Sequence, residues 1–198
     1  SISNLHIDQN VSTAILETSQ NQISVCSGDQ VTYDSSTINV GNLNHVGSSK
    51  LQLADNTLLN FTNSISVPQQ KSMTVTGEDG ELAFGGTVTF ESDSLLVMNS
   101  KDSQISGSFD FTESNLVDVQ EDVNIKSSIG KWNNSQIKVT AGKTLEFTDN
   151  QWITQGSLTK TGGSLSLENM VWNLSDDTTY TSDSEIEIKT LLLNDHIL

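Results

Sequence analysis

Along most of the chain, apolar residues recur in short apolar–polar–apolar triplets separated by Ser, Asn, Asp, Gly and Thr. They include Ile23/Val25, Val31/Tyr33, Ile38/Val40, Leu51/Leu53, Ile65/Val67, Met73/Val75, Leu82/Phe84, Val88/Phe90, Leu95/Val97 and Phe109/Phe111. Leu116 to Val119, Val123/Ile125, Ile137/Val139, Leu145/Phe147, Leu165/Leu167, Trp172/Leu174 and Ile186/Ile188 continue the series. Residues two apart lie on one side of an extended chain, so each triplet predicts a minimal strand with one buried face. The intervening residues turn a backbone at little cost. No apolar stripe of helical period is long enough to form a helix. The pattern predicts an all-β chain.

Triplet centres lie roughly seven residues apart, closer than the roughly 8–12 of sandwich and barrel strands. That interval holds a short strand and a bend. Three such units make a coil of about 20–22 residues, the regime of solenoids. Repeats agree: Trp132, Trp152 and Trp172 are evenly spaced at about one such coil length. The same offset aligns Gly142 with Gly162, Leu145 with Leu165, Phe147 with Leu167 and Asp149 with Asn169. In a parallel β-helix such pairs stack one rung apart, about 4.8 Å along the axis, with turn glycines recurring at one corner. About eight or nine coils fit the chain, a rod of roughly 40 Å. No Pro-, Gly- or Ser-rich linker divides it, so residues 1–198 read as one solenoid. Gly77–Gly86 and Asn42–Ser49 read as protruding loops.

Composition narrows the functions. Hydrophobic residues make up 34% and charged residues 17%, with 29 Ser, 21 Thr, Pro68 as the one proline, no Arg and nine Lys. The net charge of -16 excludes nucleic-acid binding through clustered basic residues. No apolar run approaches the roughly 20 residues of a spanning helix, so this segment does not insert into a membrane as a helix. The lone Cys26 excludes an internal disulfide. The start at Ser1, without Met or a leader, suits a mature or excised piece.

Candidate chemistry is sparse. No Ser lies in a nucleophile elbow, and His6, His45 and His196 have no spaced partner, so no enzyme is expected. Glu78, Asp79 and Glu81 in a glycine-flanked loop offer hard oxygens to Ca²⁺, as do Asp176-Asp177 and Glu121-Asp122. None has an established calcium spacing, and all read more simply as solvated acidic turns. No metal or cofactor is expected. The sequons at Asn10, Asn60, Asn133 and Asn173 are as frequent as chance allows in so Ser/Thr-rich a chain.

The C-terminal end of the chain carries one resemblance. Gly156-Ser-Leu-Thr-Lys-Thr-Gly-Gly-Ser-Leu-Ser-Leu-Glu-Asn169 resembles the passenger-associated repeat of autotransporters, with one glycine lost at Gly162-Gly163. Trp172-Asn-Leu174, Ile186 to Ile188 and Leu191-Leu-Leu-Asn194 resemble the end of such passengers, although Tyr180 to Ser184 lengthens a gap. The resemblance implies a right-handed parallel β-helix, secreted or displayed on the surface of a Gram-negative bacterium and followed by an outer-membrane β-barrel. It implies that residues 130–198 are the most stable coils and the folding seed, built on Trp152, Leu165, Leu167, Trp172, Leu174, Leu191 and Leu193. Two functions are open: an adhesin that binds a host receptor or a second copy of itself, as in aggregation and biofilm, and a stalk that carries an N-terminal protease or toxin. A fibre segment of a phage or virus is a third reading.

Overall fold

The computed structural model describes residues 4–6, 18–25, 29–32, 37–45, 49–53, 58–61, 64–78, 80–148, 151–184 and 186–198, with side-chain packing from Phe61 onward. The regular elements are all strands: β1 (Asn4–His6), β2 (Thr18–Val25), β3 (Asp29–Thr32), β4 (Thr37–His45), β5 (Ser49–Leu53), β6 (Leu58–Phe61), β7 (Ile65–Val67) and β8 (Ser72–Glu78). They continue with β9 (Glu81–Phe90), β10 (Leu95–Lys101), β11 (Ser103–Phe111), β12 (Leu116–Val119), β13 (Val123–Thr148), β14 (Gln151–Ser182) and β15 (Ile186–Leu192). Every pairing between them is parallel. One ladder runs β1–β3–β5–β8–β10–β12 and a second β2–β4–β6–β9–β11; both enter β13. The chain is a parallel β-solenoid.

The ladders meet because β13 turns the corner without breaking. Its residues 123–132 pair with β11 and its residues 136–139 with β12. β14 does the same between β13 and β15, with register shifts where the chain bends. The sequence pattern predicts three short strands per coil. In the C-terminal coils the strands instead run on through the bends, as β13 and β14 do.

That corner recurs once per coil. Gln70, Asp93, Ser114, Asn134 and Gly156 have φ of 57°, 60°, 54°, 45° and 69°. Only the last is glycine, which is why the expected glycine corner is not legible at this position. Side-chain hydrogen bonds help hold it. Asn115, fully buried, donates through Nδ2 to the Glu91 carbonyl (2.6 Å) and Ser94 Oγ (2.9 Å), and its Oδ1 accepts from the Glu113 amide at 3.1 Å. One coil on, Asn133 Nδ2 donates to the Thr112 carbonyl at 2.7 Å.

Inward positions stack in columns. Met73, Leu96, Val117, Ile137 and Lys160 are successive register partners, as are Ile65, Val88, Phe109, Gly130 and Trp152. Val67, Phe90, Phe111, Trp132 and Thr154 form a third column, in which Phe90–Phe111 and Phe111–Trp132 stack at 4.8 and 4.1 Å. Trp132 and Trp152 also stack, at 4.6 Å, yet they are not register partners. Trp152 lies opposite Gly130, so the coil there is longer than the tryptophan spacing suggests. Gly130 explains the offset: with no side chain of its own, it leaves room for the Trp132 indole, whose Nε1 lies 3.2 Å from where a Cβ would sit. Leu145 and Leu165 are register partners as aligned, but Gly162 faces Val139 rather than Gly142. Asp149 lies outside the described residues.

Further expectations change. Gly77–Gly86 is not a loop: apart from residues 79–80 it belongs to β8 and β9, and Leu82 and Phe84 are buried. Asn42–His45 is the end of β4 and Ser49 begins β5, with 46–48 outside the described residues. In β10 the buried pair is Leu96/Met98, not Leu95/Val97. Four consecutive apolar residues hide the phase of alternation, which the register with Met73 and Val117 then sets.

Two glycines separate backbone strain from close packing. A Cβ on Gly162 (φ +82°) would lie 1.9 Å from the Val139 carbonyl oxygen, whereas one on Gly142 (φ +79°) meets nothing within 4 Å. Gly142→Ala is expected to cost about 1–2 kcal/mol from backbone strain alone. Gly162→Ala adds a backbone collision and is expected to cost roughly 3 kcal/mol or more. Trp172→Ala empties a site that is 1% exposed and is expected to cost about 3–5 kcal/mol. Urea denaturation of the three variants checks the order.

Candidate functional site

With apolar side chains turned inward, chemistry-bearing groups collect at outward positions and corners. Two shallow grooves run across successive coils. The first, about 250 Å³, is lined by Asp102, Gln104, Asp122, Val123, Asn124, Thr144 and Glu146. The second, about 230 Å³, is lined by Asp110, Phe111, Thr112, Lys131, Trp132, Asn133, Ile153, Gln155 and Ser175. The first draws its polar rim from facing rungs: Gln104 lies in register with Asn124, and Asn124 Nδ2 donates to Glu146 Oε2 at 3.1 Å. Both present hydroxyl, amide and carboxylate groups in rows.

Of the acidic candidates, Glu78 and the Glu121-Asp122 pair are engaged with lysines one coil away. Glu78 Oε1 accepts from Lys101 Nζ at 2.8 Å, and this hydrogen bond holds the Glu78 carboxyl below its ordinary value. Asp79 lies outside the described residues, and Glu81 is exposed. Glu121 accepts a hydrogen bond from Lys143, whose Nζ also lies 3.6 Å from Asp122 Oδ2; the Glu121 bond raises the lysine above its ordinary value. Lys138 reaches Asp118 at 3.4 Å. The partners in each of these pairs are separated by one turn of the solenoid. Exposed pairs of this kind add little to stability, because water and salt screen them.

Lys160 is different. Its side chain has no exposure, and it occupies the inward position opposite Ile137. The stem continues the apolar column, while Nζ donates to the carbonyls of Gly162 (2.8 Å) and Gly163 and to Ser184 Oγ, with Asp183 Oδ1 at 3.8 Å. Desolvation pushes the amine below its ordinary value of 10.5, partly offset by the Asp183 charge. Each patterned residue of the Gly156–Leu167 segment has a structural task. Gly156 and Gly162 take left-handed backbone; Leu158, Leu165 and Leu167 are buried; Lys160 ties the bend at Gly162-Gly163. Sequence reasoning treated Lys160 only as one letter of a motif; its place between Leu158 and Gly162 at period two was the signal for an inward lysine.

Of the seven core residues read from the sequence, Trp152, Leu165, Leu167, Trp172 and Leu174 are 0–3% exposed, and Leu191 packs against the core. Leu193 does not: it is 46% exposed. β15 ends at Leu192, and the left-handed Asn194 and Asp195 turn the chain away before Leu193 can take an inward place. Trp172 is further held by its Nε1, which donates to Thr154 Oγ1 at 2.7 Å. His196 lies beside Asp176 and Asp177, a proximity that no spacing in the sequence announces. His6, His45 and Cys26 lie where no side chain is described. Compared with protein-family models, curated proteins and solved structures, the chain matches none of them.

The Lys160 burial sets a pH dependence. Below its depressed folded value both states carry the proton, and the cost of burying the cation is fully present. Between that value and 10.5 the unfolded chain binds more protons, so stability rises with pH, levelling above 10.5. The stability of the native chain minus that of Lys160→Met is therefore expected to increase as pH is raised from neutral toward 10.5, measured by urea denaturation at each pH.

Proposed function

We propose that the chain is a non-catalytic segment of an autotransporter passenger, displayed or released at the surface of a Gram-negative bacterium, and that it acts as an adhesin. The observation that carries the reading is the fit between the Gly156–Asn169 repeat and its coil. Every patterned glycine, leucine and lysine through Leu167 serves turning or stacking, as a motif kept for solenoid building requires. The outward rows of Thr, Ser, Asn and Gln support contact through many weak hydrogen bonds, where multiplicity supplies affinity. A membrane β-barrel following the solenoid belongs to this proposal. So does a host receptor, or a second copy of the rod, as partner.

Purified chain is expected to bind host cells or to aggregate cells that display it, with the coils intact by circular dichroism. Binding to neither, with the fold intact, leaves the stalk.

If the contact is between copies, charge shapes it. At -16 two rods repel, and the range of repulsion falls from about 30 Å at roughly 0.01 M salt to about 8 Å near 0.15 M. Sedimentation is expected to show association strengthening with added salt. A monomer at every salt concentration would sink self-association.

A further inference from the structure

Beyond the Lys-paired carboxylates, one acidic pair lacks a lysine. Asp176 and Asp177 are adjacent and exposed, and among the described residues no lysine makes an ion pair with either. Their neighbour is an imidazole. His196 Nδ1 lies 3.7 Å from Asp177 Oδ1, and one ligand atom from each of Asp176, Asp177 and His196 falls within 4.8 Å of the other two. The chain is folded back to bring them there. The Thr178 amide donates to the Ile197 carbonyl (2.8 Å), the Ile197 amide to Asp177 Oδ1 (3.0 Å), and Asn194 Nδ2 to the Leu174 carbonyl (3.1 Å).

We propose that Asp176, Asp177 and His196 bind a divalent transition-metal ion, of the class to which Zn²⁺ belongs. Three facts meet here: two like charges side by side without a lysine, an imidazole nitrogen among them, and a spacing that one small cation spans. The imidazole sets the metal class. Ca²⁺ takes six to eight oxygens, whereas Zn²⁺ accepts a nitrogen and two carboxylates and leaves a fourth position to water. The ion replaces the missing lysine and ties residues 193–197 to the coil that carries Asp176. This is independent of adhesion: it concerns how one edge of the solenoid is closed.

The test is calorimetric titration of the full chain with Zn²⁺, with Ca²⁺ as comparison, read beside amide hydrogen exchange. Expected is one Zn²⁺ site that Ca²⁺ does not fill, weakened roughly tenfold or more, about 1.4 kcal/mol, in His196→Ala and in Asp177→Asn. The amides of Thr178 and Ile197 are expected to exchange more slowly with Zn²⁺ present. His6, His45 and Cys26 supply other possible Zn²⁺ ligands, so the variants decide. Zn²⁺ binding unchanged in His196→Ala, binding of Ca²⁺ and Zn²⁺ with equal affinity, or no binding by a folded chain each overturns the proposal. Asp177 also accepts the Ile197 amide, so His196→Gln, which leaves that hydrogen bond alone, serves as the second variant: loss of Zn²⁺ with an unchanged urea midpoint in the metal-free protein supports the site, and retention overturns it.

Discussion

Parallel stacking one coil above the next is the constraint from which the rest follows. Strands of neighbouring coils lie about 4.8 Å apart, so whatever a residue is, its counterpart one coil later rests on it. Like must meet like. Phe90 on Phe111 on Trp132 satisfies this by ring stacking, and Met73, Leu96, Val117 and Ile137 by aliphatic contact. No coil holds enough apolar surface to fold alone; each is half of two interfaces. Where a column changes character, a local device absorbs the change. Gly130 makes way for an indole, and Lys160 sends its ammonium out to carbonyls at the bend.

Period two and the return of the pattern after one coil length were enough to read a parallel solenoid, because both follow directly from the stacking rule. Val88/Phe90, Ile137/Val139 and Leu165/Leu167 alternate with polar neighbours, and they are buried as the alternation says. Register was less legible. The even tryptophan spacing suggested the wrong partner for Trp132, since coil length varies from rung to rung without disturbing the columns. Register shifts at the bends absorb the difference, and at one corner the left-handed residue is Gln, Asp, Ser, Asn or Gly in turn. Five residue types at one structural position leave no signature to find. Leu193 fails for a related reason: three consecutive leucines give no phase, and the strand stops before the third.

The same rule organises the charges. Glu78 with Lys101, Asp118 with Lys138 and Glu121 with Lys143 are each a coil apart, so these three lysines neutralise acids along the axis. Sequence-local reading cannot see such pairs, because their partners lie a full coil away along the chain. It likewise separated His196 from Asp177, which the chain reversal at Asn194 and Asp195 brings together.

Interior and exterior therefore carry different obligations. An inward residue is held by the coils on both sides, and a wrong one disturbs a whole column. An outward residue answers chiefly to its lateral row, where Thr, Ser, Asn and Gln can replace one another with little effect on folding. Selection for stability thus leaves the outer face nearly free, and its chemistry can be set by whatever the rod touches. What it offers is shaped by stacking all the same. Outward register partners line up along the axis, as Ser66, Thr89, Asp110, Lys131 and Ile153 do, so recognition by such a face is by rows. A partner with its own repeat close to the rung spacing gains with every rung it covers, whereas a compact ligand meets only one or two.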